Sequence, residues 1–128
     1  MRITIKNVSD MQHYQGEHTI PGIRFRPARQ AIGISAWGMN VAEFDPNTTG
    51  YPEHDHQHDG QEEVYLVLDG SIVLQADGKE QVLKRGDMVR VAPEVTRKFV
   101  TRESSATLLA LGATPGKAYE PDKRMATT

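Results

Sequence analysis

The stretch "QEEVYLVLDGSIVLQADGKEQVLKRGDMVRVA", Gln61 to Ala92, decides the fold. Its β-rich runs EEVYLVL, SIVLQA, EQVLK and DMVRVA are divided by Asp69-Gly70, Asp77-Gly78 and Arg85-Gly86-Asp87. An Asp-Gly pair between such runs is the strongest short hairpin cue, because both residues tolerate the positive φ of a type I′ turn. Turns are therefore expected at both Asp-Gly pairs. The same texture continues outward, with AIGIS and MNVAEF before the stretch and RKFV and ATLLALG after it. Short strands at regular turn spacing favour an all-β sandwich or barrel. No segment after Ala31 holds a 3.6-residue apolar period over ten residues. Ahead of it, RITIK reads as a strand and DMQHYQ as one helical turn capped by Ser9 or Asp10. Residues 114–128 carry two prolines and few apolar side chains and read as an arm. The expected organisation is one domain over 1–128: a barrel core over about 31–113, an N-terminal extension 1–30 and a C-terminal arm 114–128.

At 128 residues the chain buries a core large enough to fold without a metal or disulfide. A net charge of −2 gives no electrostatic footprint for nucleic acid or an anionic membrane. With no cysteine, thiol catalysis and cysteine-ligated metal are excluded. The N-terminus has no apolar signal region and no apolar run is long enough to span a bilayer, so a cytoplasmic location is expected.

Three of the five histidines, His54, His56 and His58, alternate just ahead of Glu62 and Glu63. On a strand, residues i and i+2 face one side, about 6.6 Å apart. On that reading His56 and His58 point the same way. Glu63 joins them if the chain turns at Asp59-Gly60-Gln61 and returns antiparallel. Gly70 then closes the returning strand. His54 shares the parity of His56 and is a further candidate ligand, although a solvated loop histidine is the commoner fate of such a residue. By the same alternation Tyr65 and Val67 line the cavity beside Glu63, while Glu62 points outward.

Gly50, five residues, His56-Gln57-His58, four residues, Glu63, six residues and Gly70 reproduce the first motif of the cupin superfamily. Over roughly Gly38 to Gly112 the chain resembles small bacterial single-domain cupins. The resemblance implies a small antiparallel β-barrel or double-stranded β-helix, the jelly roll, with a divalent metal on the positions of His56, His58 and Glu63; it also favours a homodimer. The second motif departs from the family's pattern. Gly86 and Asp87 are kept, but Ala92 stands for the first proline, Glu94 for the glycine and Arg97 for the last histidine.

A guanidinium has no lone pair for a metal. Two readings therefore stay open. In one, zinc, nickel, manganese or iron sits on His56, His58 and Glu63, with or without His54, and Tyr65 or Glu43 moves a proton in an enzymatic reaction. In the other, the cavity is metal-free and Arg97, with Tyr65, holds a small anionic ligand. A third role, assembly through the arm, also fits. In each case the partners are a small molecule and a second copy of the chain, with no nucleic acid and no membrane.

Overall fold

The computed structural model describes residues 2–121. Seven strands, all paired antiparallel, and one short helix follow in order: β1 (Ile23–Arg26), α1 (Ala28–Ile32), β2 (Gly38–Phe44), β3 (Glu62–Ala76), β4 (Lys79–Lys84), β5 (Met88–Val91), β6 (Arg97–Val100) and β7 (Ala106–Ala113). One sheet runs β1-β2-β7-β3-β5, and a second sets β4 and β6 either side of the far half of β3. Phe44, Tyr65, Val67, Ile72, Phe99 and Leu108 fill the space between the sheets, each nearly or wholly out of solvent. A fully buried side chain of this kind contributes about 1.5–3 kcal/mol relative to its exposed state. The arrangement is the all-β jelly roll.

β3 belongs to both sheets, and here the structure corrects the sequence. Asp69-Gly70 is not a hairpin turn. The strand passes straight through it for 15 residues. Between Val67 and Asp69 the register against β7 slips, so that Val67 faces Leu108 and Asp69 faces Thr107. The extra residue is a bulge, and it reverses the side-chain phase. Odd residues (Glu63, Tyr65, Val67) face the core before it; even residues (Ile72, Leu74) do so after it. Gly70, at φ 73°, supplies the bend. The second Asp-Gly pair does form the expected turn. Ala76 pairs with Lys79, and Asp77 (φ 53°) and Gly78 (φ 69°) make the two-residue loop.

The N-terminal third differs more. AIGIS is not a strand: residues 28–32 form α1, ended by Gly33 at φ 83°. Ala28 and Ala31, three apart on one helical face, pack with Val41 and Met39 on the outer side of β2. That contact outweighs the weak strand pattern. RITIK has strand alternation but no ladder partner, and Ile3 and Ile5 stand exposed. DMQHYQ is not helical beyond Asp10: the turn lies ahead of it, a 3-10 turn over Val8–Asp10, capped two residues before Ser9 by the Asn7 side chain, which accepts from Ser9 N at 3.0 Å. β1 lies where the sequence gives no clear pattern. Of the expected arm, residues 114–121 fold back over the mouth of this chain's own cavity, where Lys117 and Tyr119 line it; residues 122–128 lie outside the described residues.

Candidate metal centre and cavity

Glu63 opens β3 with its side chain inward, and Tyr65, two residues on, donates its hydroxyl hydrogen to Glu63 Oε1. The histidine segment is not a strand ladder. His54 makes a single two-way bridge to Arg97, with His54 N donating to Arg97 O at 3.1 Å and Arg97 N to His54 O at 2.9 Å. His56 N then donates to Pro93 O at 2.8 Å. These bonds pin residues 54–56 against the start of β6. The chain turns at once, with Gly60 N donating to His56 O at 2.7 Å.

That turn breaks the period-two expectation for His58. His54, His56 and Glu63 come together, each offering a ligand atom within 4.8 Å of the others. His58 sits on the turn with its side chain 74% exposed. It stacks loosely on His56 at 5.9 Å between ring centroids and forms a separate outer group with His56 and Asp59.

The electrostatics around Glu63 are specific. His54 Nδ1 lies 3.0 Å from Pro52 O, and His56 Nδ1 lies 3.1 Å from Asp59 Oδ1. A carbonyl only accepts, so His54 Nδ1 carries the hydrogen. Burial pushes the Asp59 carboxyl up, but the Gln61 backbone N–H, with His56 and the Gln61 side chain, outweighs it and keeps Asp59 ionised. His56 Nδ1 therefore donates as well. In the neutral rings both Nε2 atoms are left as lone pairs, facing Glu63 Oε1 at 3.7 Å for His54 and 3.2 Å for His56. His56 Nε2 is buried and makes no aligned hydrogen bond. Burial likewise raises the Glu63 carboxyl, but His54, His56 and Tyr65 overcome this and hold it well below the usual carboxylate range. Glu63 in turn raises the His56 pKa against the opposing effect of burial.

Three electron-rich atoms pointing at one another repel unless a metal ion, or a proton on His56 Nε2, lies between them. Ligands about 2.1 Å from one ion at tetrahedral angles stand roughly 3.4 Å apart, and the two separations here bracket that figure. The Nδ1 partners are the carbonyl and carboxylate that fix the ring of a metal-bound histidine. The residues present therefore fit a divalent ion.

Arg97 is where the anion-clamp reading is corrected. Its side chain is 0% exposed and lies behind Glu63, with Nη2 3.9 Å from Glu63 Oε1. Nη2 donates to Ala92 O at 3.2 Å and to Val91 O at 3.5 Å, and Nη1 to His54 O at 3.5 Å. A fully buried guanidinium with Nη1 and Nη2 on carbonyls, and Nε buried without a hydrogen-bond partner, is out of reach of an entering anion. Glu43 also falls away from the cavity, bound on the other face of β2 by Arg26 at 2.8 Å and Arg24 at 3.3 Å. Glu62 faces outward as expected, paired with Arg90 at 2.5 Å.

Two contributors escape sequence reasoning. Tyr51 lines the cavity with its ring 5.8 Å from His54 and 5.5 Å from Phe99, and burial, then Glu63, pushes its phenol up. Asp59 orients His56. Its i+3 spacing from His56 is a usable signal only once a turn, rather than a strand, is assumed there.

The Cupin domain family model matches residues 40–111, spanning β2 to β7 and enclosing this pole. The chain belongs to the cupin family. This cupin is similar to a sugar phosphate isomerase of the cupin superfamily from Silicibacter pomeroyi, with 24% identity over 87% of this chain and 76% of that one and a TM-score of 0.74. It is also similar to the polyketide cyclase RemF from Streptomyces resistomycificus, with 16% identity over 94% and 88% of the two chains and a TM-score of 0.73. A predicted oxalate decarboxylase from Thermotoga maritima gives 21% identity, 88% and 93% coverage and a TM-score of 0.60. At these identities the likeness is one of fold. No curated protein sequence matches the chain.

Proposed function

We propose that this cupin holds one divalent metal ion on His54, His56 and Glu63 and acts there on a small organic molecule bound in the cavity. The observation that carries the reading is the convergence of two Nε2 lone pairs on one carboxylate oxygen, with both Nδ1 atoms already committed to acceptors. A bound ion supplies Lewis acidity toward a ligand oxygen. The chain's own residues do the rest. Pro52 O and Asp59 fix the ring planes, Tyr65 donates to the same Glu63 Oε1 that the two Nε2 atoms face, and the pole opens onto a cavity of about 1490 Å³. The similar structures named as an isomerase, a cyclase and a predicted decarboxylase support chemistry on small molecules in this fold without selecting one reaction.

Metal analysis of untagged protein tests it. One ion per chain is expected. His56→Ala should weaken zinc or manganese binding at least ~100-fold, beyond what is lost when only a residue that orients a ligand is removed, while His58→Ala stays within about threefold of wild type. Equal losses in both variants would mean that the ligand pair is His56 and His58 instead. No uptake by wild type would end the metal reading. The second reading, a metal-free binding module, is favoured by Arg97 as a built-in counter-charge to Glu63. It requires ligand-induced stabilisation that survives chelator.

We also propose a homodimer. α1 and the 3-10 turn cover only part of the outer face of the first sheet. Beyond them, Met88, which pairs with Leu66, is 67% exposed, and Leu68 is exposed near it. β5 has no strand on its far side among the described residues, while the Arg2–Lys6 segment has strand alternation and no ladder partner. A second copy supplies a matching arm and edge at once, the self-complementarity that a two-fold interface needs. Wild type should sediment as a dimer, and Leu68→Lys with Met88→Lys as a folded monomer. A monomeric wild type at 100 µM, taken as roughly the upper range of such assays, would sink the dimer.

A further inference from the structure

We infer that the cavity takes a molecule with a largely apolar, ring-sized body and a single oxygen-bearing polar end, and not a sugar phosphate or other polyanion. The inference rests on the cavity reading above and deepens it. Two features of the cavity wall carry it.

The first is the distribution of apolar surface. Away from the His54–His56–Glu63 pole, the inner face of the first sheet presents Ile23 and Phe25 from β1, Ala42 from β2, and Leu108 and Ala110 from β7. Register places these together: Phe25 pairs with Ala42, Ala42 with Leu108, and Tyr65 with Ala110. The alanines give a shallow floor beside Glu63, and larger apolar groups flank it. Ile20 and Tyr14 extend the same surface at the N-terminal side. Sites that select a ligand by shape pair such a wall with a few convergent polar atoms; here the ionised group of them lies at the His54–His56–Glu63 end, and Asn40 is the one amide on the inner face of β2 among the described residues.

The second is charge. Glu53, Asp55, Asp59, Glu63 and Glu120 line the cavity against only Arg29 and Lys117 among its described arginines and lysines. Arg29 is already engaged, with Nη1 on Ile34 O at 3.1 Å and its guanidinium 5.7 Å from the Tyr119 ring centroid. Arg97, the one cation near the pole, is sealed away from ligand. A phosphate needs cations or a cluster of free N–H groups in contact with it. This lining repels it.

The probes are 2-naphthol and 2,3-dihydroxynaphthalene, with ribose 5-phosphate as the polar control, titrated calorimetrically into the full chain with EDTA and then with zinc. In EDTA, 2-naphthol should bind saturably at one site per chain, at least ~10-fold tighter than ribose 5-phosphate. Two wall variants, Ile20→Asp at the rim and Phe25→Gln on β1, should each weaken it about 10-fold. Using both guards against one of them failing to fold. Zinc should tighten 2,3-dihydroxynaphthalene more than 2-naphthol. If zinc changes neither, the metal reading fails while the wall inference stands. Ribose 5-phosphate binding as tightly as 2-naphthol, or 2-naphthol binding equally well in both variants, overturns the inference itself.

Discussion

Arg97→Met will make the protein depend on metal for its stability. In wild type the buried Glu63 carboxylate has a fixed cation 3.9 Å away. Removing one partner of a buried ion pair costs about 3–5 kcal/mol, because the other charge is left uncompensated. The carbonyls of His54, Val91 and Ala92 lose their guanidinium bonds in the same step, although His54 O keeps the backbone bond from Arg97 N at 2.9 Å. In chelator the variant should therefore be less stable by at least ~3 kcal/mol, read from denaturant midpoints. The effect on metal has the opposite sign. At about 4 Å and an effective dielectric near 20, each pair of unit charges contributes roughly 4 kcal/mol, and a divalent ion beside the guanidinium feels about twice that as repulsion. Relaxation and water reduce the figure. Even so, zinc affinity should rise at least ~100-fold, close to 3 kcal/mol. Saturating zinc should then restore most of the lost stability, since only the folded state binds it. Equal stability of variant and wild type in chelator, with unchanged zinc affinity, would show that Arg97 does not govern the pole.

Gly70→Ala should be the most damaging single-methyl change in the chain. The position sits at φ 73°, where an L side chain is strained by about 1–2 kcal/mol. A Cβ there would lie 1.9 Å from Ser105 O and 3.0 Å from Ala106 Cα, both backbone atoms. Backbone cannot swing aside as a side chain does, so β3 and β7 must separate at their bulge. A loss of roughly 3–5 kcal/mol, the range for strain at a special backbone position combined with disrupted packing, lowers the melting temperature by about 10–20 °C for a domain of this size. Gly33→Ala is the control. It also has positive φ, but a Cβ there meets nothing within 4 Å, so it should show only the backbone strain. Similar melting temperatures for the two variants would mean that the close approach at Ser105 is relieved cheaply.

The runs on either side of Asp77-Gly78 were readable because each is a strand edge-to-edge with its neighbour, and local turn chemistry coincides with the tertiary pairing. At Asp69-Gly70 the same dipeptide performs a different task. Only the position of Ser105, thirty-five residues downstream, distinguishes a bend in a continuing strand from a hairpin. AIGIS failed because its packing partners, Val41 and Met39, decide its conformation. The site was legible in the types of its residues, two imidazoles and a carboxylate. Glu63, Tyr65 and His56 lie where strand parity and motif spacing put them. His58 was misplaced, since a period-two argument presumes a strand and residues 57–59 form a turn. The depth of Arg97 was invisible in sequence, because only the bridge to His54 and the β5–β6 connection decide whether an arginine there lies in the cavity or beneath it.

The pairing of β2 with β7, from Gly38 against Gly112 to Phe44 against Ala106, has a kinetic corollary. β2 can pair with β1, and β3 with β5, before the last strand exists, but β7 alone joins the two pieces, so on the ribosome the first sheet stays in halves until nearly all of the domain has emerged. Contacts of such separation make folding slow. The ligand pole, split between the His54 segment and the strand that carries Glu63, is shaped in the same late event. On the proposed metal reading the ion would load after collapse instead of nucleating it, and refolding rates in zinc and in EDTA should coincide even though the final stabilities differ.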